Sequence, residues 1–97
     1  MTDRQRREAA ACYYASVTEI DVQFGMLIDR ILEAGQLDDT IVVLTSDHGE
    51  AFGEHGEASH GILVYEQTQR IPLIVSGAGV GVGVETERTA ALVDLLP

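Results

Sequence analysis

Between Arg4 and Ala34 the apolar residues Val17, Ile20, Phe24, Leu27, Ile28, Ile31 and Leu32 recur mostly three and four apart. That period gathers them into one broad stripe of a helix. Glu19, Asp21, Gln23, Asp29, Arg30 and Glu33 fall mostly off it. Gly25 weakens the helix interior and reads as a point of close packing, while Gly35 is a natural terminator. Asp38-Asp39-Thr40 then turns the chain into a strand from Ile41 to Ser46. Its run Ile41-Val42-Val43-Leu44 has no polar alternation, the pattern of a strand buried on both faces. Helix, turn and strand in that order make half of a βαβ unit, so a parallel sheet is expected.

Ala51 to Gly61 holds too many glycines and charges for regular structure and reads as a loop. Ile62 to Thr68 fits a short helix and an extended piece equally. Arg70 to Ser76 predicts a second buried strand, with Pro72 near its start, where a missing donor is tolerated. Gly77 to Gly83 alternates glycine with Ala or Val but does not satisfy G-x-G-x-x-G, and a chain without lysine cannot form a P-loop. Ala90 to Leu96 is an apolar helical start, cut off at Pro97. Two strands and one long helix cannot cover both faces of a parallel sheet. The chain is therefore expected to be a fragment of a larger α/β domain, or else to pair with another chain.

Composition narrows the function classes. Ninety-seven residues allow at most one small domain. A formal charge of −10, with six arginines as the only Lys or Arg cations, argues against nucleic acid or an anionic membrane as partner. No run approaches the roughly 20 apolar residues that span a bilayer, and residues Met1 to Arg7 carry no apolar signal-peptide core. A single Cys12 excludes an internal disulfide and leaves the compartment open.

The chemistry concentrates after the first strand, in Thr45-Ser46-Asp47-His48-Gly49-Glu50. Ligands of open α/β sheets bind outside the carboxyl ends of the strands, so an acid and an imidazole there are well placed. Adjacent strand residues point to opposite faces. Asp47 and His48 converge only if the chain leaves the pleat, which Gly49 permits. By residue type the pair reads equally as a hydrogen-bonded cap and as two metal donors. His55 and His60 lie in a glycine-bearing loop without H-E-x-x-H geometry. His55-Gly56-Glu57 lacks the P-C-x-x-C half of a zinc deaminase. Glu50, Glu54 and Glu57 read as a solvated acidic rim, and Glu66 with Arg70, four apart, as an ion pair. No G-x-S-x-G elbow is present, and Cys12 has no surroundings that would activate a thiol.

Taken in order, six segments carry a resemblance. They are Tyr13 to Asp21, Leu37-Asp38-Asp39-Thr40, Thr45 to Glu50, Gly53-Glu54-His55-Gly56, Arg70 to Val75, and Val93-Asp94-Leu95-Leu96-Pro97. Together they resemble the sulfatases, members of the alkaline phosphatase superfamily, from about Tyr13 to the end. The resemblance implies a fragment of an α/β/α sandwich, its long helix followed by core strands of a largely parallel sheet. It implies that Asp47 and His48 complete a divalent-metal site. Calcium is the family default, and the imidazole keeps manganese and zinc in view.

A family lysine on the sulfate often lies twelve residues beyond the second ligand, where this chain has His60. Ser59-His60-Gly61 resembles the Thr-His-Gly of some subgroups, so His60 is implied as a substrate contact. His55 and Glu50 are left as supporting or unassigned residues. The family nucleophile is a formylglycine made in C/S-x-P-S-R, and no such motif occurs here. Residues 1–97 are thus expected to be the second half of a sulfatase catalytic domain, inactive alone, acting on a sulfate ester of a small molecule or glycan. The rivals are a phosphodiesterase or phosphonate hydrolase of the same superfamily, and a truncated non-catalytic module.

Overall fold

A capping box starts the long helix. In the computed structural model, which describes residues 1–95, Thr2 Oγ1 accepts from the Gln5 amide at 3.3 Å and Gln5 Oε1 accepts from the Thr2 amide at 2.8 Å. Helix α1 then runs Asp3–Glu33. It ends in a Schellman motif: the Gln36 amide reaches the Ile31 carbonyl at 3.1 Å and the Gly35 amide the Leu32 carbonyl at 2.9 Å. Gly35 there adopts φ 66°, the left-handed conformation that glycine takes without penalty.

After a 3-10 turn at Leu37–Asp39, strand β1 covers Val42–Thr45. A second 3-10 turn at Glu54–Gly56 and a four-residue helix α2, Glu66–Gln69, lead to strand β2, Leu73–Ser76. The ambiguous stretch from Ile62 thus opens irregular and turns helical only at Glu66. A last 3-10 turn covers Leu92–Asp94. Leu96 and Pro97, which close the expected terminal helix and the last family segment, lie outside the described residues.

The sheet corrects one expectation. β1 and β2 pair antiparallel, with Val42 opposite Ser76, Val43 opposite Val75, Leu44 opposite Ile74 and Thr45 opposite Leu73. A parallel pair needs a crossover, usually a helix packed on the sheet, and the connection from Ser46 to Pro72 holds only the short α2. Thr45 Oγ1 donates to the Pro72 carbonyl at 2.8 Å and fixes the end of the ladder that leads into the Asp-His segment.

Burial corrects another. Neither strand is covered on both faces: Val43, Leu73, Ile74 and Val75 are all exposed. Of the α1 stripe only Phe24, Ile28 and Ile31, spaced four and three, are half-buried. Phe24 and Ile28 border an apolar groove of about 840 Å³ with Val42, Leu44 and Ile74. Ala51 is the sole fully buried hydrophobic among the described residues. The accessible surface is 8116 Å², against about 5,400 Å² for a folded monomer of this mass. The radius of gyration, 16.7 Å, likewise exceeds the roughly 12–13 Å of a compact 97-residue domain. No helix among the described residues is long and apolar enough to cross a membrane.

Candidate functional site

Beyond Thr45 the ladder stops and the polar side chains turn inward on one another. Ser46 Oγ donates to the His48 carbonyl at 2.7 Å, and Asp47 Oδ1 accepts from the His48 amide at 3.0 Å. This local bonding takes the chain out of the pleat, so Asp47 and His48 share a side: His48 Nε2 stands 3.7 Å from Asp47 Oδ2. His48 Nδ1 is 2.8 Å from the Gly49 carbonyl oxygen. A carbonyl only accepts, so Nδ1 is the donor in this contact, and Nε2 is the ring nitrogen left facing the carboxylate. Asp47 is 84% exposed. Its own backbone amide and the His48 imidazole, in that order, hold its carboxyl below the usual aspartate range.

His60 joins them from the following loop. Its ring lies over that of His48, centroids 3.9 Å apart and planes tilted by 31°, and its Nδ1 is 2.9 Å from Glu50 Oε2. Partial burial pushes the Glu50 carboxyl up. The hydrogen bond from His60, the Ala51 amide and the imidazole charge outweigh it and leave the group below its usual value. A carboxylate facing Nδ1 assigns that nitrogen the proton and leaves Nε2 for another partner. Asp47, His48, Glu50 and His60 thus form one cluster.

Gly49 earns its place through space rather than through a left-handed φ. A Cβ there would collide with the Gln67 carbonyl oxygen and lie 3.1 Å from that of Arg70, while its amide donates to the Thr68 carbonyl at 2.9 Å. Gly49→Ala is expected to cost about 2–4 kcal/mol, read as a lowered denaturation midpoint of the domain that contains this chain. An unchanged midpoint would show that the two backbones separate freely.

The other sequence candidates part company. His55 sits in the left-handed region at φ 53°, its ring stacked on Tyr65 at 4.0 Å, with no contact to the cluster. Glu54 caps its own turn, accepting from the Phe52 amide at 2.6 Å. That amide first, then its own amide and the Arg6 charge, hold its carboxyl low. Tyr13 packs edge-on against Phe52 at 5.4 Å, tying this loop to α1. Glu57 is no member of a solvated rim: it is 5% exposed, and its Oε1 accepts from the amides of Ile62 at 3.0 Å and Leu63 at 2.8 Å. Glu66 and Arg70 form no side-chain ion pair; the Arg70 amide donates to the Glu66 carbonyl at 2.8 Å.

Among the described residues no group of three or more His, Cys, Asp or Glu is arranged to hold a metal ion by itself. Asp47 and His48 bring groups of a fitting kind, a carboxylate and an imidazole whose Nε2 is not engaged by a backbone carbonyl. Any further ligands would have to come from elsewhere.

The sulfatase family model matches residues 1–97. The chain belongs to the sulfatase family. Its relatives include arylsulfatase K of Bos taurus, 33% identical over 96 residues that make up 99% of this chain and 18% of that protein. Arylsulfatase K of Xenopus laevis is 36% identical over the same share. Choline-sulfatase of Rhizobium meliloti (strain 1021) is 32% identical over 97 residues, 100% of this chain and 19% of that enzyme. No solved structure matches significantly. This sulfatase chain therefore spans about a fifth of the length of these relatives. Membership implies the alkaline phosphatase-like α/β fold; the helix and the antiparallel strand pair do not by themselves show its parallel sheet.

Proposed function

We propose that this chain carries part of the metal- and substrate-binding side of a sulfatase active site and serves in hydrolysis of sulfuric esters of small molecules or glycans. The observation that carries the reading is the cluster beyond β1. In a sulfatase-family chain, Asp47, His48, Glu50 and His60 meet at one strand end. The excess accessible surface supports a second part of the proposal: the strands and α1 are covered by the rest of a catalytic domain, which also brings the nucleophile, a formylglycine, and further metal ligands.

Asp47 and His48 hold a divalent metal, calcium by family default, with manganese or zinc as the alternatives that the imidazole keeps open. Such an ion supplies charge neutralisation at the ester oxygens. Asp47 contributes a hard anionic oxygen, and the Gly49 carbonyl locks the His48 ring with Nε2 available. Glu50 accepts from Nδ1–H of His60 and orients the ring; in the imidazolium form, which the anionic ester favours, Nε2–H donates to an oxygen of the ester.

The experiment is His60→Ala in the complete domain, assayed on an aryl sulfate and an aryl phosphate and analysed for metal. Turnover of the sulfate ester is expected to fall about 100-fold with metal content unchanged. Stoichiometric loss of metal would make His60 a ligand. A preference for the phosphate ester in the unsubstituted enzyme would replace sulfatase by phosphoryl-transfer chemistry.

A further inference from the structure

The structure points to Glu57 as a positioning residue for His60. This inference rests on the role proposed above for His60. Glu57 is a glutamate 5% exposed at the foot of a loop whose tip residues, Ala58 to Gly61, are all exposed. One oxygen, Oε1, accepts two amides from the far side of that loop, those of Ile62 and Leu63. The other, Oε2, is buried with no partner. A buried unpartnered carboxyl oxygen is costly, and an apolar residue would fill the same space without that cost. What an apolar residue cannot supply is an acceptor that pins both amides and closes residues 57–63 into one shape.

That shape sets where His60 stands. His60 lies between the clamped ends, three residues after Glu57 and two before Ile62, and its ring reaches Glu50 and His48 only from this loop. The clamp also continues inward. Leu63, whose amide Glu57 holds, accepts at its carbonyl from Thr68 Oγ1 at 3.1 Å. Thr68, itself 3% exposed, accepts at its carbonyl from the Gly49 amide at 2.9 Å. A line of hydrogen bonds thus runs from Glu57 through Leu63 and Thr68 to the residue after His48. Both histidines of the stacked pair are placed from this one frame, although Glu57 touches neither.

The test is a set of variants in the complete sulfatase domain, assayed on 4-nitrophenyl sulfate. Glu57→Ala is expected to lower kcat/KM about 10- to 100-fold, the loss usual for removal of a group that orients a site residue. Glu57→Gln keeps an oxygen for the two amides and is expected to stay within about threefold of the parent. Glu57→Ala combined with His60→Ala is expected to fall no further than His60→Ala alone, because both remove one function. A crystal structure of Glu57→Ala should show His60 Nδ1 more than 3.5 Å from Glu50, with metal content unchanged.

If Glu57→Ala does not fold, Ile62→Pro removes one of the clamped amides at a residue whose side chain is 84% exposed. The same loss, and the same absence of further loss with His60→Ala, are expected. Equal loss in the presence and absence of His60 would make Glu57 merely structural, and parental activity of both clamp variants would end the proposal. Full activity of His60→Ala would instead end the substrate-contact reading. The position of His60 in the Glu57→Ala crystal structure would still judge the clamp.

Discussion

Asp47→Ala in the complete domain is expected to strip bound divalent metal and to lower kcat by about a thousandfold or more. Asp47 is the one anionic oxygen donor beside the free Nε2 of His48, and its carboxyl is held low by its own amide and by the imidazole. It is therefore ionised, ready to ligate, across the neutral pH range. On the proposed reading, removing it leaves the His48 imidazole as the remaining proposed ligand, which a hard cation such as calcium binds poorly. Loss of one member of a cooperating catalytic unit commonly costs several orders of magnitude. His48→Ala should cost less if the ion is calcium and as much if it is zinc, since imidazole is a strong ligand only for the latter. Metal analysis of purified variants, with activity before and after chelation and readdition of each ion, decides the point. Retention of stoichiometric metal and of turnover by Asp47→Ala would reduce the Asp47–His48 pair to a strand-end cap.

What the sequence disclosed and what it hid divide along physical lines. Helix α1 was legible because its signals are local: a three-and-four apolar period and a terminating glycine. Its capping box, Thr2 with Gln5 three residues on, was equally local and would have moved the predicted start back by one residue. The two strands were legible from runs of branched residues. Their relative direction was not, because direction depends on what the connection does. The parallel expectation assumed a packed crossover helix where the chain supplies a long loop and one turn of helix. Burial on both faces, read from the unbroken apolar runs, is not what the structure shows: Ile41, Val43, Leu73, Ile74 and Val75 are exposed, because an apolar run does not say what covers it.

At the site, Asp47 and His48 announce themselves as neighbours at a strand end. Glu50 and His60 are ten residues apart, and only the folded loop joins them. Glu57 was misread because an acidic residue among glycines and charges resembles every solvated loop carboxylate. The signal that could have distinguished it was the need for an acceptor by the amides that follow Gly61.

The isolated 97-residue chain is expected to show neither a cooperative unfolding transition nor sulfate-ester hydrolysis above background. Folding must bury enough apolar surface to offset roughly 1–2 kcal/mol of backbone entropy per residue. Among the described residues Val43, the large hydrophobics of β2 and most of the α1 stripe are exposed, and one alanine is the fully buried apolar core. Two strands without a covering layer are marginal in water. A 31-residue helix that packs along only Phe24, Ile28 and Ile31 gains little from tertiary contact. The excess over the surface of a compact monomer, on the order of 2,700 Å² on this chain alone, is well above the roughly 800 Å² per partner of a standard interface. The proposed function points the same way, since it sets Asp47 and His48 beside a formylglycine that another segment brings. Far-UV circular dichroism should record helix that melts gradually with temperature, and 4-nitrophenyl sulfate should release 4-nitrophenol at the buffer rate. Joining the chain to the further segments that the proposal invokes should bring a sharp transition together with turnover. A sharp transition in the chain alone, with hydrolysis abolished by Asp47→Ala, would show that these 97 residues are a complete enzyme and that the exposed faces need no cover.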